Sequence, residues 1–232
     1  MNKQDLIRYF NCHESKITIQ NLAPNLTKNY EANKYVDYKN VFKKFNFDKD
    51  KKWFLYPTEF WPHKNHMYFL EVIKFLKEKK NEKIGFIFCG LDKSNLEYIK
   101  KKTQEYRIQN LVKILGFINE MELISLYKYS EGIVMPTYLG RSSLPLLEAL
   151  YFRKKIFYSK NKLDKSLSKY VEEFNLEDYK NLSNKLIKFF GEKQNNDLSN
   201  TYESLNLDSS FLYNYKKVIE EFSLIQKKWK II

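Results

Sequence analysis

The chain has 232 residues, 43% of them hydrophobic and 17% aromatic, which is enough to bury a sizeable core and excludes a disordered tail. Six glycines and five prolines argue for long regular elements over a turn-rich sandwich. A formal charge of +13, from 41 basic and 28 acidic residues, favours nucleotide phosphates, anionic lipid or nucleic acid as company, while lysines spread along helices fit a solvated face equally well.

Two distant cysteines, Cys12 and Cys89, form no CxxC pair, which fits a reducing compartment. The first residues have no signal-peptide character, and no apolar run is long enough to cross a bilayer. The expectation is a soluble, cytoplasmic protein.

In chain order, Leu6, Ile7, Tyr9 and Phe10 read as a short helical start, Ile17–Gln20 as a strand, and the residues after it as a Pro/Asn-containing link. From Trp53 onward strands and helices alternate. Trp53–Tyr56 is an apolar strand ending at Pro57, and the following helix puts Phe69, Leu70, Ile73 and Leu76 on one face. Ile84–Phe88 is the next strand, stopped by Cys89-Gly90. Ser94-Asn-Leu-Glu97 reads as a capping box opening a helix with Leu96 and Ile99 inward. Val112–Leu115 is a strand, Gly116–Ile118 a turn, and Asn119-Glu-Met-Glu122 a second capping box whose helix buries Leu123, Ile124 and Tyr127. Gly132–Met135 is a strand, Leu146 onward a helix, and Lys155–Tyr158 a strand. At the far end, Phe211, Tyr215, Val218, Ile219 and Phe222 share a face of a long helix.

Strands apolar throughout, each followed by an amphipathic helix, predict an α/β fold with one doubly wound parallel sheet. Ligands of such sheets sit outside the carboxyl ends of the strands. Those ends are Pro57–His66, Cys89–Lys93, Gly116–Asn119 and Pro136–Ser143. In PTYLGRSSLPLLEAL (Pro136–Leu150), a helix starting at Pro145 would turn unpaired amides and the positive end of its dipole into the crevice, an anion site suited to a diphosphate. Glu148, one turn in, can accept from sugar hydroxyls, or it merely complements the dipole while Arg141 is solvated. Lys64, at the entrance of the helix after the first strand, can neutralise charge on a departing phosphate. His63 and His66, spaced i, i+3, are a weak metal pair with no third ligand in view.

YPTEFWPHKNH (Tyr56–His66), FIFCG (Phe86–Gly90), GFINEMELISLY (Gly116–Tyr127) and PTYLGRSSLPLLEAL, in this order and spacing, resemble the C-terminal half of retaining GT-B glycosyltransferases of the group 1 (family 4) type, over roughly residues 15–190. That resemblance implies a Rossmann-like domain that binds a nucleotide-sugar donor. By the resemblance, Lys64 contacts the donor diphosphate and Glu148 binds the ribose. Gly116, Phe117 and Ile118 lie near the base, and the amides of Ser143 and Leu144 meet the diphosphate. Gly140, Arg141, Ser142 and His63 complete the implied donor-binding set. No metal and no cofactor beyond the donor are implied.

The sequence departs from the family pattern in four places, one of them the usual glycine-rich segment after Tyr158, which is shortened here to Ser-Lys-Asn-Lys-Leu-Asp. The first glutamate of the family pair falls on Gly140, and the arginine that usually precedes the lysine falls on Phe60, which makes Arg141 the candidate replacement. The family's acceptor domain is represented only by a stretch resembling its last helix and strand. The expected organisation is residues 1–50 as that remnant and link, 51–192 as the donor domain, and 193–232 as a loop and C-terminal helix. The implied function is donor binding for transfer of a sugar, with retention, to a glycan or lipid-linked acceptor in bacterial surface polysaccharide synthesis. A second chain would supply the acceptor domain, and peripheral contact with the anionic inner face of the cell membrane is expected, but no nucleic acid. The alternative is a non-catalytic nucleotide-binding or assembly module, or an inactive truncated transferase.

Overall fold

Six short strands form one all-parallel sheet in the computed structural model, which describes residues 3–17, 40–138, 144–160, 165–191, 215–220 and 222–224. The strands are β1 (Lys52–Pro57), β2 (Ile84–Cys89), β3 (Val112–Gly116), β4 (Gly132–Met135), β5 (Lys155–Ser159) and β6 (Glu172–Phe174). The helices, in chain order, are α1 (Lys3–Phe10), α2 (Asn40–Lys44), α3 (His66–Glu78), α4 (Leu96–Glu105), α5 (Glu120–Tyr129), α6 (Leu144–Tyr151), α7 (Lys165–Ser168) and α8 (Tyr179–Gly191).

The spatial order is β3-β2-β1-β4-β5-β6. The chain therefore builds outward from β1 to β3, then returns to the other side of β1 with β4. That reversal is the topological switch point, and it opens a crevice between the loops that follow β1 and β4. Strand β1 pairs along its whole length with β2, from Lys52 opposite Ile84 to Pro57 opposite Cys89. With β4 it pairs only at Phe54 and Leu55.

The strands are buried on both faces because helices cover both, and every residue of β2 and β4 is buried. On one face Phe54 meets Phe86, Phe157, Phe189 and Phe190 at centroid distances of 5.6 to 6.1 Å. Burial of each such ring contributes about 2–3 kcal/mol. Helix α3 buries Phe69, Leu70, Ile73 and Leu76 as its periodicity requires. Residues preceding β1 also pack on this unit: Phe47 lies edge-on to Trp53 at 5.0 Å, and Lys44 on α2 pairs with Glu122 on α5. Residues 3–17 and 215–224 belong to a separate compact unit. There, α1 is closed by an ion pair between Lys3 and Glu14 at 2.6 Å.

Three local expectations are corrected. Helix α4 is not opened by a box at Ser94, which takes a left-handed φ of 69°; the Asp92 carboxylate instead accepts from the Asn95 and Leu96 amides at 3.2 Å each. Glu97 turns outward to Lys100. In α5, Leu126 is buried while Leu123 is only half-buried, so the inward stripe is one position wider than drawn. Strand β6, two of whose three residues are charged, and the four-residue helix α7 carry too weak a pattern to appear in the sequence reading, whereas α8, which buries Leu182, Ser183 and Leu186 on one face, is an element that reading omits. The expected strand at 18–20 and the Phe211 end of the C-terminal helix lie outside the described residues.

Candidate functional site

The ends of β1, β2 and β3 are stitched together before they reach the crevice. The amides of Thr58 and Phe60 donate to the carbonyls of Cys89 and Leu91, each at 2.9 Å, and the Gly90 amide donates to Gly116 at 2.8 Å. Only glycine fits at position 90, because its φ is 153° and a Cβ there would lie 2.2 Å from the Thr58 carbonyl oxygen. This anchored segment leads into a 3₁₀ turn, Pro62–Lys64, with proline where no amide partner is needed. Asn65 follows at φ 57°, ends that turn and caps α3 by accepting from the Tyr68 amide.

Two bonds fix where Lys64 stands. The hydroxyl of Tyr56, buried in β1, donates to the Lys64 carbonyl. The Tyr138 amide, beyond β4, donates to the His63 carbonyl at 3.1 Å and so ties the two loops across the switch point. The Lys64 side chain is half-buried, and its ammonium takes no hydrogen bond or ion pair among the described residues. Burial lowers its pKa, and the Glu59 carboxylate pulls it partly back. Glu59 itself is engaged with the Trp61 indole at 2.7 Å and Lys93 at 3.7 Å. A cation held half out of water without a partner is poised for an anion.

The two histidines do not converge. His63 lies against Trp61, with ring centroids 6.1 Å apart. His66 is 1% exposed, enclosed by Tyr56, Phe60 and Phe88, and burial pushes its pKa down to about 3. Neither of its ring nitrogens has a hydrogen-bond partner among the described residues. Among the described residues no three His, Cys, Asp or Glu side chains gather.

On the other side of the crevice, α6 begins at Leu144, one residue before the expected start, so Glu148 is its fifth residue and lies beyond the first turn. The Tyr127 hydroxyl, fully buried on α5, donates to Glu148 Oε2 at 2.7 Å. Burial raises the Glu148 pKa, the Tyr127 bond lowers it, and Glu120 raises it again. Burial, with the Glu148 carboxyl as the lesser cause, pushes the Cys89 thiol at the end of β2 up to about 12. At the edge, Gly116 ends β3 at φ 67°. Phe117 is 72% exposed there, an apolar ring face open to solvent, and Ile118 is half-buried beside it. Asn119 and Glu122 form the reciprocal box expected for α5.

Lys64, His63, Gly116, Phe117, Ile118, Leu144 and Glu148 thus all lie at the carboxyl edge of the sheet. Gly140, Arg141, Ser142 and Ser143 lie outside the described residues. Sequence reasoning missed two residues that hold this site. Tyr56 and Tyr127 both read as core by spacing, and nothing in a periodic pattern separates a tyrosine that fills space from one whose hydroxyl grips a neighbour.

A family model of the glycosyl transferases group 1 matches residues 37–195. No curated protein matches the sequence. Among solved structures, a glycosyltransferase from Rickettsia africae superposes with a TM-score of 0.73 at 17% identity, covering 97% of this chain and 61% of that one. WaaG, a glycosyltransferase involved in lipopolysaccharide biosynthesis, gives 0.65 at 14% identity, covering 87% and 58%. Anabaena Alr3699/HepE in complex with UDP gives 0.62 at 12%, covering 81% and 52%. The likeness is one of fold, and the chain spans 61% or less of the length of each of these three.

Proposed function

The chain belongs to the glycosyl transferases group 1 family, and from that premise we propose that it is the donor-binding half of a sugar-transferring enzyme. The donor is a nucleotide diphosphate sugar, and the acceptor is a glycan or a lipid-linked glycan of a bacterial surface polysaccharide. The observation that carries this reading is the half-buried Lys64 ammonium, which has no hydrogen-bond or ion-pair partner among the described residues and whose backbone is fixed at the switch point by Tyr56 and by the Tyr138–His63 bond. The UDP bound to HepE and the lipopolysaccharide role of WaaG agree with it.

In the proposed reaction the bond between the anomeric carbon and the diphosphate oxygen breaks, the acceptor hydroxyl oxygen bonds to that carbon on the same face, and its proton passes to the leaving diphosphate. Negative charge grows on the leaving diphosphate. Lys64 meets it without reorganisation, because its backbone is already held on both sides. Arg141 supplies the second cation in place of the family arginine lost at Phe60. Glu148 accepts from the ribose hydroxyls and holds the donor in register. Phe117 offers its exposed face to the base. No metal takes part, and a second chain completes the acceptor side, at the anionic inner face of the cell membrane.

Calorimetric titration with UDP, GDP and their sugar conjugates tests the reading. Binding should weaken about tenfold or more in Lys64→Ala, the loss of one charge-assisted contact. No binding by folded wild-type protein would overturn it. A nucleotide-binding module without transfer activity is the second reading, favoured by Gly140, which stands where the family places the glutamate that touches the donor sugar. Nucleotide binding without donor hydrolysis or transfer, even beside an acceptor-domain partner, would select it.

A further inference from the structure

Tyr127 is completely buried on α5, its ring stacked on Phe152 at 5.5 Å and 11°. Its hydroxyl donates across to α6, to Glu148 Oε2 at 2.7 Å, and lies 3.4 Å from the Pro145 carbonyl. A phenolic hydroxyl has one proton, and the shorter, charge-assisted contact takes it. The consequence falls on Glu148. One carboxylate oxygen is committed to the protein, which fixes the torsion of a side chain that otherwise turns freely. The other oxygen, Oε1, takes no hydrogen bond among the described residues. Helix α5 is itself anchored by the Asn119–Glu122 box and the Lys44 pair, so the tyrosine is a rigid support.

We infer that Tyr127 is a positioning residue, which holds the Glu148 carboxylate so that its second oxygen faces the ribose hydroxyls of the donor. It thereby sets the site's preference for ribose without touching the ligand. This rests on the donor-binding reading above and adds to it a specificity device built from a core side chain. A tyrosine that merely filled space would support every ligand alike. One that aims a carboxylate supports only ligands carrying the hydroxyls.

The test compares UDP and GDP with their 2′,3′-dideoxy counterparts by calorimetry, on wild type, Tyr127→Phe and Glu148→Gln. Wild type should prefer the ribonucleotide about tenfold, the worth of a hydrogen bond to a charged acceptor. In Tyr127→Phe that preference should fall to roughly threefold or less, with dideoxy affinity unchanged. The ring stack on Phe152 survives this substitution, and thermal melting verifies the fold. Glu148→Asp keeps the charge, draws the carboxyl away from the hydroxyl and leaves the buried ring intact, so it should lose the same preference. An equal loss for both ligands in Tyr127→Phe, or a full ribose preference in either variant, would overturn the inference while leaving donor binding standing. If Glu148→Gln binds both ligands as wild type does, the ribose role of Glu148 fails first, and this inference with it.

Discussion

Replacing His66 by leucine should remove one source of the sheet unit's acid sensitivity. The imidazole is 1% exposed among three aromatic rings, with both nitrogens unpaired, and its pKa falls from 6.5 to about 3. The folded state therefore refuses a proton that the unfolded chain accepts. Stability from this group is fully present above pH 6.5 and is lost as pH falls towards 3, with a slope set by the extra proton on the unfolded state. Across the whole window a shift of this size corresponds to about 5 kcal/mol, and between pH 7 and pH 5 to about 2 kcal/mol. Against a total of about 5–15 kcal/mol for a domain, that is a large fraction. Urea unfolding followed through the fluorescence of buried Trp53 gives the stability of both proteins at pH 7, 6 and 5. At pH 7 the variant should lie within about 1 kcal/mol of wild type, because lost ring contacts offset the removal of two orphaned nitrogens. At pH 5 it should be the more stable by about 2 kcal/mol. All other titrating groups are common to both proteins and cancel in the difference. Parallel pH dependences would refute the reasoning, since they would mean that His66 reaches a partner or water when protonated.

Two further perturbations separate site from scaffold. Burial raises the Glu148 pKa above 4.5, so its contribution has the opposite sign: it is fully favourable below pH 4.5 and lost as pH rises through the folded value. Glu148→Gln should therefore be more stable than wild type at pH 7 in the same urea assay, with the difference closing below pH 4.5, even though it binds nucleotide less well. Gly90→Ala sets a methyl 2.2 Å from the Thr58 carbonyl at a φ of 153°, which should cost about 3 kcal/mol. Gly191→Ala, with nothing within 4 Å of the new methyl, is its control and should be neutral or slightly stabilising.

The alternation of strands and helices was legible because strands buried on both faces leave uninterrupted apolar runs, and IGFIFC and GIVM are such runs. The sheet order was not legible, since parallel pairing leaves no local mark, and only the order puts the loops after β1 and β4 side by side. EEF in β6 escaped notice because two of its three residues are charged and half-buried. The two capping boxes show the limit of a motif. Asn119 and Glu122 meet as drawn, whereas near Ser94 a carboxylate two residues upstream accepts from the Asn95 and Leu96 amides and takes the capping role. Lys64 and Glu148 were singled out by their places near the starts of the helices that follow β1 and β4 and by the family resemblance. Tyr56 and Tyr127 were not, because their hydroxyls act across elements that a one-dimensional pattern does not bring together.

The distribution of polar strain supports the same division. Ion pairs such as Lys100–Glu97 and Lys102–Glu105 sit on exposed helix faces, where each is worth little. The groups that burial disfavours in their charged forms include Lys64, His66 and Glu148, which lie on the loops and helix starts flanking the switch point. A fold gains little from a half-buried ammonium that no described residue pairs. Stability and affinity should then move apart at Lys64 and Glu148, with binding falling while stability holds or rises, and move together at Gly90. If Lys64→Ala and Glu148→Gln were instead both unfolded, those two charges would be part of the scaffold, and the crevice would owe its shape rather than its chemistry to them.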